Sequence, residues 1–146
     1  MKFKMRKASV KDARFFYELR NEKEARKNFF NTKNIKYNDH LKWYKNKLKK
    51  KNIVFLVALI GDSKKIGTVR YEIDKIFTYI SISISKKFRN LGYGSKIIKK
   101  SEKFLKKKLV IISRIKNKNK ASVKIFKKNN YKIIKNDNDI TLMKII

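Results

Sequence analysis

The chain contains no cysteine, no proline and one histidine in 146 residues. Without cysteine there is no disulfide framework, no thiol nucleophile and no thiolate metal site. A single imidazole, His40, does not make a histidine metal centre, so no metal is expected. The longest apolar run, Ile53 to Ile60, is far too short to span a bilayer. The N-terminal Met1-Lys2-Phe3-Lys4-Met5-Arg6-Lys7 lacks the apolar segment and small-residue cleavage site of a signal peptide. We therefore expect a soluble, cytoplasmic protein with no membrane partner. Acidic residues are also scarce, 11 against 42 Lys and Arg, for a formal net charge of +31. A charge of that size raises nucleic-acid binding as a function class. The basic residues are spread along the whole chain, however, and accompany many Ile and Asn, which share A/T-rich codons with Lys. Nucleic acid is accordingly expected to bind only non-specifically, through charge.

What is present is a globular composition, 42% hydrophobic and 12% aromatic, at a length that suits one domain, residues 1–146. Lys2 to Lys7 reads as a strand. Ser9-Val10-Lys11-Asp12 is a variant capping box, followed at helical spacing by Ala13, Phe16, Tyr17 and Arg20. A polar stretch runs from Asn28 to Asn34, and a second helix starts near Asn38. Ile53 to Ile60 is a buried central strand. Strands follow over Ile66 to Ile73, Ile76 to Ile84 and Leu109 to Ile112, with a helix after Gly94 whose Ile97, Ser101, Phe104 and Leu105 share one face. Lys120 to Lys128 is a short helix, and Tyr131 to Lys135 and Thr141 to Ile146 close the chain as strands. The alternation predicts an α+β, mixed α/β domain.

The segment with the most chemistry in it is Arg89-Asn90-Leu91-Gly92-Tyr93-Gly94-Ser95, between the alternating Ile80-Ser81-Ile82-Ser83-Ile84-Ser85 and an amphipathic helix. Such a turn leaves unpaired N–H groups at a helix start, where the macrodipole favours anions. Glycine lets a phosphate approach the backbone, and Arg89 adds positive charge. The dinucleotide and Walker fingerprints are both absent. The remaining pattern, Arg-x-x-Gly-x-Gly after a strand and before a helix, resembles the acetyl-CoA pyrophosphate loop of the GCN5-related N-acetyltransferase (GNAT) family. Asn119-Lys120-Ala121-Ser122-Val123-Lys124-Ile125-Phe126-Lys127-Lys128-Asn129-Asn130-Tyr131 resembles that family's second cofactor motif.

The resemblance implies a mostly antiparallel sheet, splayed where acetyl-CoA binds, with Ile82, Ser83 and Ile84 nearest the thioester. It implies further that Asn119 and Ser122 face the pantetheine arm. Phe126 stands where many members carry a tyrosine that reprotonates the CoA thiolate, so that role falls elsewhere or to water. Asn130 replaces the usual glycine after the helix, which Asn tolerates in left-handed geometry.

In the N-terminal third, Leu19-Arg20-Asn21, Arg26 to Asn31, Ile35 and His40-Leu41-Lys42-Trp43 resemble acetyltransferases of nonulosonic-acid pathways, which acetylate an amine on a UDP-linked aminodideoxy sugar. This makes Arg20, Asn21, Trp43 and Arg70 candidate acceptor-binding residues, although helix-end exposure alone accounts for Arg20 and Asn21, and a place in the core or pocket wall for Trp43. Arg70 and Glu72 share one strand face, turned either to solvent or to the cleft. Direct attack by the amine needs a base, for which Glu72, or water held by it, is the first candidate and His40 the rival. A protein, peptide or small-amine acceptor is the alternative, and a nucleic-acid binder retaining the fold is the alternative of another class. A homodimer is left open.

Overall fold

The computed structural model describes residues 2–146. Strand β1 (Phe3–Lys7) runs into a 3-10 turn, Val10–Asp12, that carries the expected capping box. Ser9 Oγ accepts from the Lys11 N–H at 3.3 Å, and Asp12 Oδ2 accepts from the Ser9 N–H at 2.9 Å. The same carboxylate takes Arg6 in a two-pronged pair at 2.8 and 2.9 Å and Lys65 at 2.7 Å. One acid thus ties the first strand, the first helix and a central strand together.

Helices α1 (Ala13–Asn21), α2 (Lys23–Arg26) and α3 (Tyr37–Leu48) follow. Next come β2 (Ile53–Ile60), β3 (Lys64–Asp74) and β4 (Phe77–Ile84), then α4 (Tyr93–Ser101), β5 (Val110–Lys116), α5 (Lys120–Lys128), β6 (Lys132–Asn136) and β7 (Asp139–Ile145). The described residues form a seven-stranded sheet in the order β1-β2-β3-β4-β5-β7-β6. The β4–β5 neighbours are parallel and the other pairs antiparallel. This is the mixed α/β single domain the sequence predicts.

Strand β2 is apolar at every position because both faces of the sheet are covered there. One face packs Leu56, Val69, Tyr71, Ile97, Ile98 and Phe126 under α4 and α5. The other packs Phe55, Val57, Phe16 and Tyr44 under α1 and α3.

Among the boundaries that depart from the sequence reading, two shape the core. Strand β5 continues past Ile112 to Lys116, because Ser113 and Ile115 keep the buried alternation against β7. Helix α4 ends at Ser101, whose hydroxyl donates back to the Ile98 carbonyl at 2.9 Å and so accepts from the Tyr71 hydroxyl at 2.6 Å. The chain then tightens into a 3-10 turn, Glu102–Phe104, which rotates Phe104 off the buried face to 37% exposure.

Candidate active site

The parallel pair β4–β5 is short. Phe77, Thr78 and Tyr79 pair with Val110, Ile111 and Ile112, and the ladder stops there. Beyond that point β4 stays with β3 as far as Ile84, while β5 stays with β7 as far as Lys116, so the two strands part. The Ser85 N–H bonds the Ile66 carbonyl on β3 at 2.8 Å. By two-residue alternation, Ile82 and Ile84 turn their N–H and C=O groups the other way, into the gap.

The turn after β4 has the geometry its sequence calls for. Asn90 and Gly92 both adopt positive φ, 61° and 85°, and deliver the chain to the start of α4. No side chain caps that start, which leaves the first-turn N–H groups available to an anion. A side chain at Gly92 would meet nothing within 4 Å, so this glycine is needed for its φ. Gly94 is needed for a different reason. A Cβ there would sit 2.7 Å from Ile125 Cδ1 and 3.2 Å from Ile84 Cδ1, so its role is close packing of α4 on α5 and β4.

Around this turn, Tyr93 lies between Phe3 and Phe88, and Leu91 is exposed. Ser95 Oγ accepts from Asn129 Nδ2 at 3.1 Å, which joins α4 to the end of α5. The Arg89 guanidinium donates to the Ile84 carbonyl at 3.0 Å and to Glu22 Oε2 at 2.9 Å, tying the turn to α2. Asn119 caps α5, accepting from the Ser122 N–H at 3.3 Å. The Phe126 ring lies in the core at 2% exposure, edge-on to Tyr131 at 4.9 Å. Asn130 takes positive φ, 70°.

The opposite face of the splayed region is cationic. Strand register puts Arg70 beside Ser81 and Thr68 beside Ser83, on the face covered by α1 and α3. Arg70 lies over the Trp43 ring at 5.1 Å, and Trp43 adjoins His40 at 5.4 Å. His40 is 5% exposed, with Nδ1 unpaired. Burial pushes its pKa down to about 4, aided by the charges of Arg20 and Arg70, so the ring is neutral near pH 7. Arg20 donates to the Asn31 carbonyl at 2.7 Å and stacks on Phe29 at 4.8 Å. Asn21 spends its side-chain amide on both backbone groups of Ile35, at 2.8 and 3.0 Å, and so closes the segment between α1 and α3. Glu72 pairs with Lys47 at 3.2 Å at the closed end of the β4–β5 ladder.

Arg26, which opens the Arg26–Asn31 resemblance, lies beside Arg20, and this face is joined by Arg114 and Lys116, which the sequence reading does not name. The alternation Ile111-Ser113-Ile115 against Arg114-Lys116 is the signal that identifies the last two. Among the described residues, no group of three or more His, Asp or Glu gathers as metal ligands, and no helix is long and apolar enough to cross a membrane.

A family model for the acetyltransferase (GNAT) domain matches residues 2–132. The chain belongs to this family of acyltransferases, which take acetyl-CoA as acetyl donor. Among solved structures, a domain from Methanocaldococcus jannaschii is 20% identical, covering 99% of each chain with a TM-score of 0.82. The spermidine N-acetyltransferase of Vibrio cholerae, solved with CoA and spermine, is 15% identical over 99% of this chain and 94% of its own, with a TM-score of 0.83. A GNAT-family acetyltransferase of Streptococcus pneumoniae is 19% identical over 99% of each chain, with a TM-score of 0.73. No curated protein matches the chain significantly in sequence. The residues present fit an acetyl-CoA donor: the backbone groups of Ile82 and the Ile84 N–H border a gap whose mouth carries the uncapped start of α4, the Ile84 carbonyl being taken by Arg89.

Proposed function

We propose that this acetyltransferase moves an acetyl group to the primary amine of an anionic acceptor, a UDP-linked aminodideoxy sugar, by direct attack. The observation that carries the reading is the charge of the acceptor face. Arg20 and Arg70 flank a neutral His40, Arg26 lies beside Arg20, and the nearby acids Glu22 and Glu24 are engaged by Arg89 and Lys86. A polyamine or lysine acceptor meets like charge there, whereas a diphosphate meets guanidinium groups suited to bidentate recognition.

Bound acetyl-CoA supplies an activated thioester carbonyl. The Arg89–Ser95 turn holds its pyrophosphate through the N–H groups of Gly92, Tyr93 and Gly94 and the start of α4. Backbone groups of Ile82 and Ile84 orient the thioester end, beside Ser83, and the N-terminal turn of α5, with Asn119 and Ser122, borders the pantetheine arm. Arg70, stacked on Trp43, and Arg20 orient the acceptor. Holding the two reactants in line is worth on the order of 7–11 kcal/mol. Glu72, with its side chain 34% exposed and so open to water, takes the ammonium proton through a water molecule; the free amine then forms the C–N bond as the C–S bond breaks, and water protonates the departing thiolate, Phe126 having no proton to give. His40 stays neutral and walls the amine from solvent.

A panel of acceptors at constant ionic strength, followed by thiol release from acetyl-CoA, tests this. A UDP-amino sugar is expected to be turned over with a KM at least about tenfold below that of the uncharged amino sugar. Turnover confined to spermine or a peptide amine overturns the reading.

A further inference from the structure

Lys23, Arg26, Lys27, Thr32, Lys116 and Lys118 line one shallow cavity of about 310 Å³. Its wall is five cations and a hydroxyl, with no acid. It forms where α2 and the loop after it meet the C-terminal end of β5. Lys116 Nζ donates to the Lys27 carbonyl at 3.0 Å, and the Arg114 guanidinium lies over the Phe30 ring at 4.3 Å.

A chain with this much lysine crowds cations in many places, but here the nearest acids are already taken. Glu22 is held by Arg89 at 2.9 Å and Glu24 by Lys86 at 3.3 Å. Asp139 faces Lys116 across the β5–β7 ladder, yet its carboxylate goes to Arg114 at 2.8 Å. The positive charge around the cavity is therefore left unneutralised by the protein. On the cavity wall itself, Arg26 Nε is buried and lacks any hydrogen-bond partner. A charged donor left in that state is costly, and an anion relieves it. The volume is at the small end of ligand sites, enough for a compact multiply charged group.

We infer that this cavity is the subsite for the diphosphate of the acceptor, held apart from the cofactor's own pyrophosphate at the Arg89–Ser95 turn. The inference rests on the nucleotide-sugar reading. It extends the acceptor site from the sheet face of Arg70 to the seam between α2 and β5, and it gives Lys23, Lys116 and Lys118 a role as specificity residues. An acceptor whose charge occupies this cavity while its amine reaches the Arg70 face is selected over one with charge elsewhere.

The test is binding of inorganic pyrophosphate to the full chain by calorimetry at about 0.15 M salt, with CoA saturating so that the cofactor turn is occupied. Wild type is expected to bind. The exposed double substitution Lys23→Gln/Lys118→Gln is expected to weaken binding about tenfold or more, through loss of two charge-assisted contacts. Lys49→Gln/Lys50→Gln removes equal charge at the far end of α3 and is expected to leave the affinity within about twofold. Equal losses in both pairs, or no binding once CoA is present, overturn the inference. If pyrophosphate binding depends on Lys23 and Lys118 but no UDP-amino sugar is acetylated, the subsite stands and the substrate reading falls. If the sugar nucleotide is acetylated with an unchanged KM in Lys23→Gln/Lys118→Gln, the subsite falls alone.

Discussion

Asp12 is 1% exposed and accepts from Arg6, Lys65 and the Ser9 N–H at once. Desolvation alone raises a buried carboxyl's pKa. Here the hydrogen bonds from Arg6, Lys65 and Ser9 outweigh it and hold Asp12 far below the usual carboxylate range. Asp12→Asn keeps the shape but removes the charge that neutralises two cations, and we expect a loss of about 2–3 kcal/mol, read as a lower urea midpoint with an unchanged m-value. The two proton-acceptor candidates also separate at this scale. Glu72→Gln is expected to lower kcat about 100-fold on the true acceptor across pH, while leaving acetyl-CoA binding intact. His40 titrates near 4, so a pH–rate inflection near that value in an otherwise active Glu72→Gln enzyme assigns the base to His40 instead.

At the scale of elements, the site depends on how tightly α4 lies against α5 and β4. Gly94→Ala pushes a methyl group toward Ile125 Cδ1 and Ile84 Cδ1, flexible ends that give only partly. We expect a cost of about 1–3 kcal/mol in stability, and a raised KM for acetyl-CoA as the uncapped start of α4 moves. A selective loss of acceptor affinity with unchanged KM for acetyl-CoA is the result that contradicts this. The elements that make the site were largely legible beforehand because they carry strong local signals. The apolar run of β2, the Ser9–Asp12 box and the glycines of the turn each have a physical cause within a few residues. What was not legible depends on partners distant in sequence. The far half of β5 is fixed by β7, the end of α4 by Tyr71, and α2 by Glu22, whose side chain accepts from the N–H groups of Glu24 and Ala25 and also meets Arg89. The cationic seam follows from those long-range contacts, since Lys23 and Lys116 meet only when α2 closes on β5. Arg89 likewise reads in sequence as a phosphate ligand, and its pairing with Glu22 appears only in three dimensions.

Over the whole molecule the dominant fact is charge, 42 basic residues against 11 acidic ones. Such a protein resists compaction through self-repulsion, and each acid that protonates makes the repulsion worse. Acidification therefore acts in two windows that can be told apart. His40 has a folded pKa of about 4, below the 6.5 of the free side chain. Between those values the unfolded chain binds more protons than the folded one, so stability is full above about pH 6.5 and falls as the pH drops toward 4. That contribution is of order 3 kcal/mol at most. Asp12 is depressed as well, and its contribution is present above the ordinary carboxylate pKa and lost only below it. Thermal melts from pH 7.5 to 3 should then show a first decline between about 6.5 and 4 and a second, steeper one below about 4. In His40→Phe the first decline should flatten while the second persists, and in Asp12→Asn the reverse should hold. Added salt screens the surface repulsion and raises the whole curve, but it leaves the positions of the two declines in place, because both groups are buried. A single decline that shifts bodily with salt and ignores both substitutions means that diffuse repulsion, and not these two residues, sets the acid limit.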